Sequence, residues 1–589
     1  MAIHPAMQKS LNRAVRGDGV VNMPDWRRRV LLVAVLLGFA VLVGRGVYLQ
    51  GLNKHFLQEK GDARYSRALK LQAHRGKITD RYGELLAISS PVESIWASPP
   101  DVKMTASQSK QLSRLLDIKA NIIQKKVSNN TREFVYLKRR LSPELANNVM
   151  KLNISGIYTQ REYKRYYPAG EVTAHLVGFT GIDDQGQEGF ELTMNSLLSG
   201  KMGSRRVLKD RAGHIVEDLE AVKVPQDGHD VVLSIDRRIQ YLAHRELLKA
   251  VTEFKAKAGA AIVLDANTGE VLAMVNVPTY NPNNPVNIQG KSRNRSITDV
   301  FEPGSTLKPV TAAAALESGL FTPETKIQTA PGAMTIGSAT IHDAHAHGIL
   351  TVSEVIQKSS NIGSAKMALA LDKKYLWGVF NQMGLGTKTR IGFPGEASGR
   401  LRDFKTWRPI EQATMSYGHG ISLTLLQLAR AYTVFANNGE LKPVSLLKLK
   451  EEPVGTQVFS AQTAAAIKTM LESVVLPGGT ALRAQVLGYR VAGKTGTTHK
   501  LGAHGYEKDK YVGSFVGMAP ASNPRLIMAV MIDEPSTGVY YGGSVAAPVF
   551  SAVMTDALRL LAVPQDAANK NLMIPPGVVD EIEEVREAI

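Results

Sequence analysis

The chain opens polar and basic, then becomes apolar without a break. Residues 30–44 read VLLVAVLLGFAVLVG, Arg45 interrupts, and residues 46–49 resume the apolar run. As a helix these twenty positions extend about 30 Å, enough to cross a bilayer, with Arg45 able to snorkel to the interface. Six basic residues (Lys9, Arg13, Arg16, Arg27, Arg28 and Arg29) precede the run, against Asp18 and Asp25. That bias predicts a cytoplasmic N-terminus with the rest of the chain outside. A cleaved signal peptide needs a small-x-small site just past the apolar run. None is evident, so an uncleaved anchor is expected. A buried core helix fits poorly with the arginine triplet and the uniform apolarity.

From 51 to 225 the pattern is mixed. Short strand-like runs (SIWAS, FVYLK, GIYTQ) alternate with polar helical stretches at 107–116 and 142–152. This reads as an extended non-catalytic domain on the membrane side of the rest. Near 226 the character changes. DVVLSIDRRIQYLAHRELLKAV predicts a strand running into a helix. AGAAIVLDANTGEVLAMVN predicts a hairpin turning at Asn267, Thr268 and Gly269. Strands and apolar helices then alternate to about 561, as in one large α/β domain. The expected organisation is a basic tail at 1–29, a membrane helix at 30–49, a non-catalytic domain at 50–225, a catalytic domain at 226–565, and a flexible acidic tail at 566–589.

Length and charge add less. The 589 residues suit roughly two to four domains. The formal net charge of +18 fits a polyanionic partner, whether nucleic acid, anionic lipid or cell-wall polymer, and equally a merely basic surface. Cysteine is absent, which excludes disulfides, cysteine zinc sites and thiol catalysis.

Three motifs carry the chemistry: Ser305-Thr306-Leu307-Lys308 after Phe301-Glu302-Pro303-Gly304, then Ser359-Ser360-Asn361, then Lys494-Thr495-Gly496-Thr497. Each is weak alone, and Ser305 by itself reads as a helix N-cap. The ordered trio resembles the set of serine acyltransferases of the penicillin-binding and β-lactamase type, with Ser360 where that set has aspartate. A Pro-Gly turn before the apolar run 310–320 places Ser305 at a helix N-terminus, and Lys308, three residues on, shares its face. A serine hydroxyl needs a base, and lysine serves when burial or a neighbouring charge, such as Lys494, lowers its pKa. Pro309 removes the hydrogen bond to the Ser305 carbonyl, which predicts an irregular, 3₁₀-like first turn. Ser359 and Asn361, alternate residues on a short loop, can point the same way, the serine to relay a proton and the asparagine to hold a peptide amide. Gly496 leaves room for a substrate backbone beside its strand. Lys494, Thr495 and Thr497 can bind a terminal carboxylate. The backbone N–H groups of Ser305 and Thr497 can form an oxyanion hole.

At these residues the chain resembles the class B, division-type penicillin-binding proteins (the penicillin-binding protein 3 group) over nearly its whole length. Arg75-Gly76-Lys77-Ile78-Thr79-Asp80-Arg81, Arg165-Tyr166-Tyr167-Pro168, Gly186-Gln187-Glu188-Gly189, Tyr417-Gly418-His419-Gly420 and Tyr540-Tyr541-Gly542-Gly543 carry the likeness. The resemblance implies an α+β pedestal (dimerisation) domain and a β-lactamase-like α/β transpeptidase domain with a mainly antiparallel sheet flanked by helices. It implies attack of Ser305 on the D-Ala-D-Ala bond of a stem peptide, release of D-alanine, and capture of the acyl group by an amine of a neighbouring stem. Tyr540 and Tyr541 would bind substrate, β-lactams would acylate Ser305, and no cofactor is implied. Expected partners are a division glycosyltransferase and other divisome membrane proteins.

Two positions depart from the family pattern. His419 stands where relatives carry tyrosine, and His499 lies where Lys or Arg is frequent. Both should line the cleft, and they suit a specialised second copy of the division enzyme. A hydrolytic carboxypeptidase or β-lactamase on the same fold and a non-catalytic divisome scaffold are the competing readings. The run His342-Asp343-Ala344-His345-Ala346-His347 invites a metal site, since 343, 345 and 347 would share one face of a strand, but a polar loop near the cleft is the expectation.

Overall fold

The structure, a computed structural model, describes residues 24–54, 66–129, 131–132, 134–209, 215–502 and 505–567. The basic segment before residue 24 and most of the expected acidic tail lie outside these residues. The chain divides into two compact units, one of 1–71 with 202–224 and the other of 72–201 with 225–589.

In the first unit, α1 (Asp25–Val47) carries the predicted apolar run as far as Val47 and buries none of its residues, and a π-helical turn, Tyr48–Leu52, takes the last two positions of the run. The helical stretch suited to crossing a membrane is Asp25–Gly51, five residues longer at its start than the apolar run because Arg27 to Arg29 continue the helix. An apolar helix unburied by protein is suited to apolar surroundings such as lipid. The same unit holds a three-stranded antiparallel sheet, with Gly203–Lys209 between Ser66–Leu71 and Ile215–Lys223.

The second unit starts with the pedestal strands. β1 (Leu85–Ala97) pairs antiparallel with both β2 (Val135–Leu141) and β3 (Ile157–Tyr166). The outer part of this region has its own small core, with Ile95, Leu112, Leu116, Leu137 and Ile157 packed together. The inner part does not. Ile78, Leu86, Tyr167 and Phe190 belong to the large core of the catalytic region, so the two regions share apolar burial at their junction. Glu191 is buried there between Arg75 and Arg165, 2.6 Å from each Nε. Two residues of the basic signature and its later motifs are thus joined through one carboxylate.

The catalytic region is built on a five-stranded sheet. Helix α2 (Arg237–Glu253) precedes the predicted hairpin of β4 (Ala258–Asp265) and β5 (Val271–Val277). Helices α3 (Lys308–Glu317), α4 (Val352–Lys358) and α5 (Asn361–Ala370) follow. Then come β6 (Ala492–Gly502), β7 (Gly505–Ala519), β8 (Leu526–Asp533) and α6 (Ala547–Leu560). The spatial order is β5-β4-β8-β7-β6, antiparallel throughout. All eight positions of β4 and of β8 are buried, as continuous Ala, Ile, Val and Leu runs require when helices cover both faces. β6 is the edge strand on this path, and it carries the third motif.

Candidate active site

Ser305 lies in a 3₁₀ turn, Gly304–Leu307, and the α-helix begins only at Lys308. The backbone N–H of Lys308 donates to the Ser305 carbonyl, which Pro309 cannot serve. The irregular first turn expected from Pro309 is therefore present. Tyr432, fully buried, donates its hydroxyl to the Thr306 carbonyl at 2.8 Å and fixes the turn from beneath.

Lys308 is fully buried. Its Nζ is 2.9 Å from Ser305 Oγ and 3.0 Å from Ser359 Oγ, and it also donates to the Ser359 carbonyl. Lys494 Nζ donates to the same Ser359 Oγ at 3.0 Å. One hydroxyl thus stands between two lysines, one of which touches Ser305.

Ser359 reaches this point through an uncommon backbone. It ends α4 in the left-handed region, at φ 61° and ψ 37°, a conformation costing a non-glycine residue of order 1 kcal/mol or more. The short loop expected at 359–361 is a junction between two helices instead. Ser360 caps α5 through its Oγ, 2.9 Å from the Gly363 N–H, and Asn361 is already helical. Asp343 pins the junction: one carboxylate oxygen accepts from Ser360 Oγ at 2.6 Å and the other from the Ile362 N–H at 2.9 Å. The histidine-rich run accordingly does not continue as a strand past His342, because Asp343 turns inward to cap. Asn361 Nδ2 donates to the His342 carbonyl at 2.9 Å.

The third motif lies within β6. Thr495 Oγ1 is 2.8 Å from Thr480 Oγ1, and Thr497 Oγ1 accepts from the Gly542 N–H at 3.1 Å. The space freed by Gly496 faces the turn of Ser305. A Cβ there would meet the Pro303 carbonyl oxygen at 2.8 Å and Thr306 Cγ2 at 3.0 Å. This glycine lets the edge strand press against the 3₁₀ turn and so sets the spacing of the first and third motifs. Gly418 does the same from the other side. Its φ is +86°, and a Cβ would meet the Gly304 carbonyl oxygen at 2.3 Å.

A cavity of about 300 Å³ opens in front of these groups. Ser305, Asn361, Thr497, Tyr540 and Tyr541 line it, together with His419 and His499. Of the residues singled out from sequence, Lys308, Ser359 and Lys494 sit behind this wall as the polar layer under Ser305. The aromatic side is continuous: His499 and Tyr511 rings are 4.4 Å apart, Tyr511 and Tyr540 stack at 3.9 Å, and Tyr540 and Tyr541 are 4.5 Å apart.

Sequence reasoning missed three contributors. Tyr506 and Tyr511 face the cleft because β6 and β7 pair as a hairpin, Leu501 opposite Tyr506 and His499 opposite Tyr511. Reading 492–519 as one hairpin would have found them. Glu302 appeared only as part of the preceding turn. Its Oε2 accepts from the Tyr506 hydroxyl at 2.9 Å and its Oε1 from the Gly420 N–H at 2.9 Å. Burial raises its pKa, against those two bonds. His419 Nδ1 is 3.7 Å from Glu302 Oε2. Burial, then the Lys308 charge and His499, hold the imidazole down to about 4, so it is neutral near pH 7.

Comparison with known proteins places this arrangement. Residues 259–555 match the penicillin binding protein transpeptidase domain, and 70–233 match the penicillin-binding protein dimerisation domain. The chain is 43% identical over 538 residues to the probable peptidoglycan D,D-transpeptidase PenA of Neisseria gonorrhoeae, covering 90% of this chain and 92% of that one. It is 42% identical over 559 residues to the peptidoglycan D,D-transpeptidase FtsI of Escherichia coli, covering 94% and 95%. The crystallised transpeptidase domain of Burkholderia pseudomallei penicillin-binding protein 3 is 50% identical, with a TM-score of 0.53, covering 57% of this chain and 98% of that domain. A peptidoglycan synthetase from Bifidobacterium adolescentis superposes with a TM-score of 0.69 at 25% identity, covering 86% and 98%. A pedestal of the dimerisation type, an antiparallel sheet flanked by helices, and two thirds or more of each full-length relative matched above 40% identity have one reading: the chain belongs to the penicillin-binding protein transpeptidase family.

Proposed function

We propose that this protein is a membrane-anchored peptidoglycan D,D-transpeptidase that works through a Ser305 acyl-enzyme. The observation that carries the reading is the continuous contact from Ser305 Oγ to Lys308 Nζ to Ser359 Oγ to Lys494 Nζ, each step 2.9–3.0 Å. Lys308 takes the Ser305 hydroxyl proton as Oγ attacks the carbonyl carbon of the penultimate D-alanine. The backbone N–H groups of Ser305 and Thr497 receive the oxyanion. The proton passes by way of Ser359 to the departing amine, the C–N bond breaks, and D-alanine leaves. An amine of a second stem then attacks the ester, gives up its proton, and Ser305 Oγ is released protonated. Lys494, Thr495 and Thr497 hold the donor's terminal carboxylate, Gly496 brings their strand up to Ser305, Asn361 holds a peptide amide, and Tyr540 and Tyr541 close the cleft.

β-Lactams enter the same route and stay as the acyl-enzyme. The arginines at 27–29 support a cytoplasmic N-terminus and a catalytic region on the outer side of the inner membrane. The division-type likeness supports partnership with a glycosyltransferase and other divisome membrane proteins. The domain extents of this reading are 50–225 for the pedestal and 226–565 for the transpeptidase.

The test is to give the full-length chain in detergent uncross-linked glycan strands bearing pentapeptide stems. Cross-linked dimers and D-alanine should appear in equal amounts, and neither with Ser305→Ala. D-Alanine without cross-links would make the enzyme a hydrolase.

A further inference from the structure

The two ends of the cleft differ in charge. Lys308 and Lys494 meet beneath Ser305, at the end where β6 begins. At the other end, where the last residues of β6 pair with the first of β7, a carboxylate is buried. Glu302 is 8% exposed, and among the described residues its ion-pair partner is His419 alone. Its two hydrogen bonds come from neutral donors, Tyr506 and the Gly420 N–H. Its carboxylate is the acidic group that faces His419 at this end, and it offsets the Lys308 charge that also reaches His419.

His419 is the side chain that such a cation meets, for it lines the cavity with Ser305 while Glu302 stands behind. The Glu302 carboxylate beside Nδ1 favours the tautomer with the proton on Nδ1. That leaves Nε2, on the other side of the ring, as a hydrogen-bond acceptor. Tyr417, Tyr506, His499 and Lys308 are the other titratable groups around the ring. A phenol at this position would offer a hydroxyl; the imidazole offers an acceptor with a carboxylate at its back.

We infer that His419, positioned by Glu302, is a specificity-determining residue that receives a primary ammonium group of a stem peptide at the hairpin end of the cleft. The inference rests on the transpeptidase reading above. Strand polarity supports it. A donor peptide antiparallel to β6, with its carboxylate at Lys494–Thr497, has its upstream residues beside His499 and Tyr506. An amine on such a residue reaches His419. The incoming acceptor amine has the same chemistry and is the other source.

The experiment uses full-length protein in detergent and two D-alanyl thioester donors, one with a side-chain ammonium and one with that amine acetylated. Each is offered to Nα-acetyl-lysine amide as acceptor, with water competing. The wild type should prefer the ammonium donor at least tenfold in kcat/KM. In His419→Phe that preference should fall to about twofold or less, and Glu302→Gln should lower it as well. If the donor preference survives in His419→Phe while the KM for the acceptor rises at least tenfold, the ammonium is the acceptor's. His419→Tyr, which puts a polar ring at this position in place of the apolar one of His419→Phe, guards against misfolding and should recover no more than part of the selectivity. If donor preference and acceptor KM are both unchanged in His419→Phe, or if the rates with both donors fall in equal proportion, to the amine and to water alike, the ammonium subsite is wrong. Absence of any penicillin adduct on the wild type would instead overturn the transpeptidase reading itself.

Discussion

Lys308 Nζ stands 2.9 Å from Ser305 Oγ across the junction of a 3₁₀ turn and an α-helix. The junction exists because Pro309 denies the first helical turn its usual hydrogen bond. Lysine and serine are three apart, so this turn brings the amine directly against the hydroxyl. Replacing Lys308 by Arg keeps a long cation but removes a group able to lose its proton. Acylation by a penicillin should slow by roughly 10²–10⁴. Stopped-flow acylation rates check this, and a loss below tenfold would put the base elsewhere.

Glu191 joins the pedestal motifs. Both of its carboxylate oxygens are engaged by buried arginines, and its side chain is fully buried. Replacing it with Gln removes the carboxylate that both guanidinium groups pair with. Removing one partner of a buried ion pair costs about 3–5 kcal/mol. A lower urea midpoint at unchanged slope is expected. A change below about 1 kcal/mol would mean the arginines relax to water.

Two neutral histidines give the fold an acid limit. Burial holds both His175 and His419 down to about 4, from an ordinary 6.5. The unfolded chain therefore takes up protons first as pH falls. Stability from these sites is complete above about pH 6.5 and is lost progressively down to about 4, by roughly 1–3 kcal/mol each. Thermal unfolding between pH 7.5 and 4.5 should show the decline, and His175→Phe should flatten it. An unchanged slope in that variant would contradict the assignment.

Much of this was legible in the sequence, for local reasons. The membrane run, the β4–β5 hairpin and the 3₁₀ turn each follow from a few neighbouring residues. The strand order does not. β4 pairs with β8, Ala261 opposite Val530, and no local pattern announces a partner that distant. The same holds at the site. The three motifs were visible, but Ser359 was read as a loop residue because its left-handed backbone depends on Asp343 capping the next helix. Gly496 was read as space for substrate, whereas its Cβ position faces Pro303 and Thr306 across the fold. Glu302 drew no attention because its partners, Tyr506 and Gly420, lie on other elements.

The most direct measurement is the mass of the full-length protein after incubation with a penicillin. The account predicts one stable adduct, mapped to the peptide containing Ser305 and absent from Ser305→Ala. No adduct, or an adduct on another residue, would contradict Ser305 as the nucleophile. An adduct lost within seconds would contradict a transpeptidase and indicate a hydrolase.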